Sequence, residues 1–422
     1  MSDSLAQDAD SGREIEPEGP TLWTFRWVWA AAALLLFAAF YVSAHFYLAI
    51  RLIVEPQWPA SLTAWLWVGL CLLGTLTLLQ PLAERFLPIW VDRIVAWPAA
   101  LWMGFGFFFL LTLAASDVLL VALEYLGVLT GDSVVRGRAL AVGLIAGPIG
   151  LWSLVQGLRK PEVKTVEIGL ERWPAGLDGF RIVQISDIHF GPILDERFAE
   201  WLKDQVNALK PDLIAVTGDL VDGRIDKIAH TVEPLVGLRA PLGRWFITGN
   251  HDHYSSASDW AGRAEELGMR VLRNAHVVIE TKGEHFILAG VDDHRSRQMP
   301  GEGGEDLDLA LAGVQENCPI LLLAHDPTTF HAASRRSIDL QLSGHTHGGQ
   351  IWPFHYGVRL AMPWVAGLHR RGQSQIYVSR GTGFWGPPMR LGAPAEITEI
   401  ILRSGRVSQD SEGDLDGLRN SR

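Results

Sequence analysis

The sequence predicts an N-terminal transmembrane domain of four helices followed by an α/β domain. Three observations predict it. Of the 422 residues 48% are hydrophobic, and the excess lies in the first 160 as long runs almost free of charge. After Lys160-Pro161 the pattern changes to short β-rich runs separated by segments of helical period. Most of the later apolar runs end in Asp, His or Asn. The expected organisation is an acidic leader (residues 1–22), a membrane domain (23–160), an α/β domain (161–403) and a polar, disordered tail (404–422).

A membrane-spanning helix needs about 20 apolar residues. Four segments qualify, at residues 27–50, 62–82, 97–123 and 139–158. Trp23, Trp27, Trp29, Trp58, Trp97 and Trp152 fall near their ends, as in an interfacial belt. The leader is acidic and lacks the positive n-region of a cleavable signal. Four spans put both termini on one side. That side collects Arg13, Arg26, Arg85, Arg93, Arg159, Lys160 and Lys164, against Arg51, Arg136 and Arg138 on the other. The positive-inside rule then turns the α/β domain to the cytoplasm. Asp117 falls inside the third span, either as a functional intramembrane acid or, if the helix ends near Ser116, as an interfacial one.

In the second half, β-rich runs occur at 165–168, 181–185, 213–217, 245–248, 286–291, 320–324, 338–342, 376–379 and 397–401. Helical periodicity falls between many of them, at 196–209, 225–238, 258–267 and 307–314. Alternation of strand and helix implies βαβ units and at least one largely parallel sheet. Fewer helices separate the later strands, so a mixed second sheet is expected. Ligands of such sheets bind beyond the carboxyl ends of the strands.

Five polar motifs sit there: Asp187-Ile188-His189, Gly218-Asp219-Leu220-Val221-Asp222, Gly249-Asn250-His251-Asp252, His325-Asp326 and Gly344-His345-Thr346-His347. Alternate residues of an extended strand end point the same way, so Asp187 and His189 can reach one ion, as can His345 and His347. The Asp219 carboxylate has two oxygens and can bridge two cations. Asn250 offers a neutral carbonyl oxygen. Any one of these residues alone reads equally well as a cap, a turn former or a satisfied histidine. Five such motifs at successive strand ends read as a site for two metal ions.

The ordered series D-x-H, G-D-x-x-D, G-N-H-[DE], H and G-H-x-H resembles the calcineurin-like metallophosphoesterase superfamily over residues 165–400. The stretch Gly344-His345-Thr346-His347-Gly348-Gly349-Gln350, with Val378-Ser379-Arg380-Gly381, Pro388-Met389-Arg390 and Pro394-Ala395-Glu396-Ile397, is similar to its bacterial membrane-associated branch typified by YkuE and YaeI. The resemblance implies two β-sheets flanked by helices. It also implies one metal on Asp187, His189 and His347, a second on Asn250, His325 and His345, and Asp219 between them. It points to an integral protein of a bacterial inner membrane.

Two divalent ions about 3.5–4 Å apart can share a hydroxide and clamp a phosphoryl group for in-line attack. His251 can protonate the leaving oxygen or stabilise charge on the transition state, with Asp222 orienting it and holding its imidazolium. A His/Asp/Asn donor set favours Mn, Fe or Zn over Ca. Arg380 and Arg390 are candidates for binding phosphate, with surface salt bridges as the competing reading. Residues 350–368, rich in Trp, Pro, Phe, Leu and Met, read either as a lip beside the site or as a loop packed on the core. The function expected is a membrane-anchored phosphoesterase acting on a phosphorylated small molecule or a lipid-linked substrate. The alternative is a membrane sensor or transporter subunit whose domain only binds a ligand, and the complete ligand set together with His251 argues against it. A net charge of −11 excludes a large nucleic-acid surface. Cys71 and Cys318 are the only cysteines, too few for a disulfide framework. All metal motifs follow residue 186, so a chain starting near Pro161 is expected to fold and bind metal by itself.

Overall fold

The computed structural model describes residues 22–128, 134–298, 303–315 and 317–405, with side chains from residue 28 onward except residue 30. Expectations placed on the leader, on the tail beyond 405 and on the side chains of Trp23 and Trp27 lie outside these.

Among the described residues, four helices are long and apolar enough to cross a membrane. They are α1 (Leu22–Ala49), α2 (Ala60–Phe86), α3 (Ile89–Tyr125) and α4 (Val135–Leu158), and a π-helical turn (Ile50–Val54) extends α1. The chain divides into two compact units, one ending at Leu70 and one beginning at Cys71. In the first, the Trp58 indole donates to the Leu52 carbonyl at 2.8 Å and Arg51 pairs with Glu55 across one turn.

The second unit holds α3, α4 and the whole α/β domain. At 37 residues α3 is about 55 Å long, nearly twice the hydrocarbon thickness, so part of it lies beyond the apolar core of a bilayer. Asp117 of α3 pairs with Arg138 of α4 at 2.7 Å. An acid and a base at this depth stabilise each other, so Asp117 reads as a helix clamp.

The α/β domain runs β1 (Glu162–Leu170), β2 (Phe180–Ile185), α5 (Glu196–Ala208), β3 (Leu213–Thr217), α6 (Ile225–Ile228), β4 (Arg244–Ile247), α7 (Asn250–Tyr254) and α8 (Ala257–Glu266). It continues with β5 (Arg270–Val271), β6 (Ala275–Thr281), β7 (Glu284–Gly290), α9 (Leu307–Ala310), β8 (Ile320–Leu323), α10 (Phe330–Ala333) and β9 (Leu340–Ser343). It closes with α11 (Phe354–Ala361), β10 (Gly367–Arg371), β11 (Ser374–Val378) and β12 (Glu396–Ser404). One sheet has the order β1-β12-β2-β3-β4-β5, the other β10-β11-β9-β8-β7-β6. In the first only the β12–β2 pair is antiparallel, and in the second only the two edge pairs are.

The period of two along each strand builds the layers. Ile182, Leu213, Trp245 and Ile247 of the first sheet meet Leu288, Leu321, Leu342 and Tyr377 of the second in one core. The alternate residues Val183, Ile214, Val216 and Phe246 face outward onto Leu202 of α5 and Trp260 of α8. Ile287, Ile320, Leu322 and Ile376 face Leu307 and Phe330 on the other side. Strands buried on both faces read as unbroken apolar runs, which is why most of the nine expected strands among the twelve are visible in the sequence. The helix expected at 225–238 is shortened to α6 and continues as a 3-10 segment, Ala229–Gly237, that contains Pro234.

The boundary expected at 160/161 does not coincide with the packing. Phe108 of α3 and Ala146 of α4 share a buried cluster with Ile351 and Met389 of the α/β domain. The Arg390 amide donates to the Ser153 carbonyl of α4 at 2.9 Å. A Cβ at Gly157 would lie 2.3 Å from the Pro388 carbonyl oxygen, so only glycine allows this approach. A chain starting near Pro161 would expose that cluster, which runs against the expectation that it folds unaided.

Candidate metal centre

The parallel strands β2, β3 and β4 end side by side in one sheet, and β8 and β9 in the other. Their carboxyl ends meet at one edge of the sandwich. Asp187 and His189 follow β2, Asp219 follows β3, Asn250 opens α7 after β4, His325 follows β8, and His345 and His347 follow β9. All seven therefore converge from five strand ends.

The backbone there is strained in a consistent way. Asp187, His189, Asp219, His345 and His347 all have positive φ, between 51° and 72°. The left-handed region costs a residue bearing a Cβ about 1–2 kcal/mol, and such outliers gather where function requires them. The motif glycines make the crowding possible. A Cβ on Gly249 would lie 2.2 Å from Asp219 Oδ1.

Each carboxylate has one oxygen held by a backbone amide. Asp187 Oδ1 accepts from the His345 amide at 2.7 Å, and Asp219 Oδ1 accepts from the His251 amide at 2.8 Å. Asp187 Oδ2 and Asn250 Oδ1 are buried without a hydrogen-bond donor among the described residues. Asp219 Oδ2 lies 3.1 Å from His325 Nε2 and 3.8 Å from His189 Nε2. Its carboxylate thus stands between two groups of donors. One is Asp187, His189 and His347, the other Asp219, His325 and His345, and within each group the atoms lie within 4.8 Å of one another.

The histidine tautomers point the same way. His325 Nδ1 donates to the Thr217 carbonyl at 2.8 Å, and its Nε2 faces Asp219 Oδ2 at 3.1 Å and His345 Nδ1 at 3.3 Å. His189 Nδ1 donates to Asp222 at 2.9 Å, and its Nε2 stands 3.0 Å from His347 Nε2. Each pair can share one proton as an N–H···N hydrogen bond, and each also has the spacing of two nitrogens on one ion. Two nitrogens bound to one ion at about 2.0–2.1 Å would have about this separation. Buried acceptors without donors, together with a carboxylate, imidazole and amide donor set, fit divalent cations.

Asp222 joins the centre to His251. Its Oδ1 lies 2.7 Å from His251 Nδ1 as well as 2.9 Å from His189 Nδ1. Burial alone would lower the His251 pKa, but Asp222 and then Asp219 outweigh it and push it up to about 9. Burial likewise works to raise Asp222, and the imidazoles of His189 and His251 overcome it and hold the carboxylate below its usual range.

The structure reassigns the two arginines. Arg390 is 1% exposed. Its guanidinium donates to the carbonyls of Arg380, Gly383 and Ala393 and lies 3.3 Å from His347 Nδ1. No N–H is left for a phosphoryl oxygen, so Arg390 braces His347 instead of binding substrate. Arg380 pairs with Glu396 at 2.9 Å, the salt-bridge alternative. Among the described residues, Arg295 lines the same cavity as Asp219, Asn250, His251 and His345. It lies just after β7 in a 3-10 turn, and its amide donates to Asp293 Oδ1 at 2.8 Å. No motif marks it in the sequence. Asp252 also gains a role. It accepts from the amides of Leu220, Val221 and Gly249 and so ties the Asp219 loop to the Asn250 loop. Burial, reinforced by Asp219, raises its pKa to about 7.

Residues 180–349 match the calcineurin-like phosphoesterase family. The chain is 34% identical over 279 residues to the metallophosphoesterase YkuE of Bacillus subtilis, covering 63% of this chain and 94% of that protein. It is 39% identical over 277 residues to a transmembrane protein with metallophosphoesterase domain from Bos taurus (63% and 62% covered). A protein of the same description from Danio rerio is 37% identical over 272 residues (62% and 61% covered). The chain spans about three fifths of the length of these two vertebrate relatives. It belongs to the calcineurin-like metallophosphoesterase family, and its four apolar helices make it an integral membrane protein.

Proposed function

We propose that the protein hydrolyses a phosphate ester or pyrophosphate at a centre of two divalent metal ions. The observation that supports this best is the clustering of donors: Asp187, His189 and His347, and Asp219, His325 and His345, each lie with their ligand atoms within 4.8 Å of one another, and Asp187 Oδ2 and Asn250 Oδ1 are buried without a donor among the described residues. Asp187, His189 and His347 would hold one ion, Asn250, His325 and His345 the other, and Asp219 both. Mn, Fe and Zn suit these donors. When bound, the ions neutralise phosphoryl charge and acidify the attacking water.

The chain's own residues supply the rest. His251 lines the cavity and, as an imidazolium, can give a proton to the leaving oxygen from the ring nitrogen not bound to Asp222. Asp222 fixes that ring and, through His189 Nδ1, fixes a ligand as well. Arg295 lines the same cavity and can offer a charge-assisted contact to a phosphoryl oxygen.

The substrate class we favour is lipid-linked, because only residues 159–161 separate α4 from β1 and so keep the centre near the bilayer. The excess of Lys and Arg on one side of the spans supports a cytoplasmic centre. Metal analysis combined with turnover of an aryl phosphodiester tests the chemistry. Two ions per chain and hydrolysis that a chelator abolishes are expected, whereas a metal-replete protein without turnover would favour a binding role. Labelling of a cysteine placed at Ser408 tests the orientation, and modification of intact cells by an impermeant reagent would reverse it.

A further inference from the structure

The cavity that holds the metal donors does not end with them. It has a volume of about 780 Å³, in the upper range for small-molecule sites. Beyond Asp219 and His345 its walls come from two helices. Met103, Gly104 and Phe107 lie on one face of α3, and Phe354, Gly357, Val358 and Ala361 follow a helical repeat on one face of α11. Apart from the metal donors, the lining along these helices is apolar among the described residues. The Gln350 amide there is already engaged, donating to Trp385 and Pro387 carbonyls and accepting from the Trp385 amide. The Gln350 side chain thus offers a sugar or base no free group at this end.

The outer side of α11 is also unusual. No residue of this helix is buried, and Leu360 and Tyr356, which do not line the cavity, are 92% and 57% exposed. An amphipathic helix of this kind, beside the stretch of α3 where the apolar span begins, fits the membrane–water boundary.

We infer that this apolar arm of the cavity, between α3 and α11, takes the hydrocarbon chain of an amphiphilic phosphoester whose phosphorus sits at the metal donors. The inference rests on the phosphoesterase reading above and deepens it. The continuity of one cavity carries it: the same walls contain the acceptors for the metal and, about two helical turns along α11, side chains that can contact only hydrocarbon. A substrate would enter sideways from the bilayer, chain between the helices and head toward His251.

Two measurements on the full-length chain in phosphatidylcholine nanodiscs test it. The first is hydrolysis of 4-nitrophenyl alkyl phosphodiesters from methyl to octyl. kcat/KM should rise with chain length, by up to about fourfold per methylene while the arm fills. The octyl-to-methyl ratio should fall at least about tenfold in Val358→Trp and in Ala361→Trp, since each puts a large ring into the arm. The second is photolabelling with a decyl phosphonate carrying a diazirine at the chain end, which needs no turnover. Labels are expected on Met103, Phe107 and α11, and excess decyl phosphate should remove them. Hydrolysis without chain preference, combined with labels spread over the outer faces of α1 and α2, would overturn the inference and leave the phosphoesterase reading intact. Cleft labels without hydrolysis of any diester would do the reverse.

Discussion

At the metal end of the cavity almost every group is buried, five of the seven candidate ligands sit in left-handed backbone, and each carboxylate has one oxygen fixed by an amide. At the α3–α11 end the backbone is ordinary helix and the side chains of α11 are half exposed or more exposed. Chemistry on phosphorus requires atoms held to within a fraction of an ångström, and the strained turns and shared hydrogen bonds supply that rigidity. Binding of a hydrocarbon chain requires area, not direction, and helices with adaptable Met and Phe side chains supply it. The difference suggests that the two ends respond to mutation in different currencies: metal content and kcat at one, KM and chain length at the other.

The largest effect should come from Asp219→Asn, because that carboxylate stands between both donor groups. Affinity should drop for both ions by more than about 100-fold, and by more than in His189→Ala. Elemental analysis that finds two tightly bound ions in the Asp219 variant would break the comparison at its centre. His251→Ala should keep the metals yet lower kcat by about 100- to 1000-fold, as loss of one transition-state donor does. A metal-replete variant with near wild-type kcat would remove His251 from the mechanism.

A smaller effect is expected at Arg390→Met. Its guanidinium touches no substrate, but it braces His347 and the loop anchored on α4. Metal affinity should fall by about 10- to 100-fold, and the thermal midpoint should fall too. A rise in KM alone would restore the phosphate-binding role. Arg295→Met should show the opposite split, with KM raised about tenfold by the loss of a charge-assisted contact, and metal content unchanged.

Much of this was legible in the sequence, and the limits have physical causes. The metal motifs were visible because they end buried parallel strands, whose apolar runs stand out. β6 and β10 were missed because they are edge strands with polar, half-exposed faces, as in the run His369-Arg370-Arg371. The β6–β7 turn at Lys282-Gly283 has positive φ at both residues, a hairpin signal weakened by the lysine. Arg295 was hidden because only the fold brings the end of β7 beside His345. Arg390 was misread for a related reason: a sequence shows that a cation is present, but not that carbonyls have already claimed it. The dependence of the α/β domain on α3 and α4 could not be seen either, since Met389 and Gly157 look like ordinary residues until they meet their partners.

The claim on which the rest depends is that seven side chains from five strand ends hold two ions. The direct measurement is the metal stoichiometry of the purified full-length protein loaded with Mn, compared with Asn250→Ala. In the proposed assignment Asn250 Oδ1 would serve only one of the two ions, so the wild type should carry two ions per chain and the variant one. Two ions in both proteins, or one in the wild type, would contradict the account.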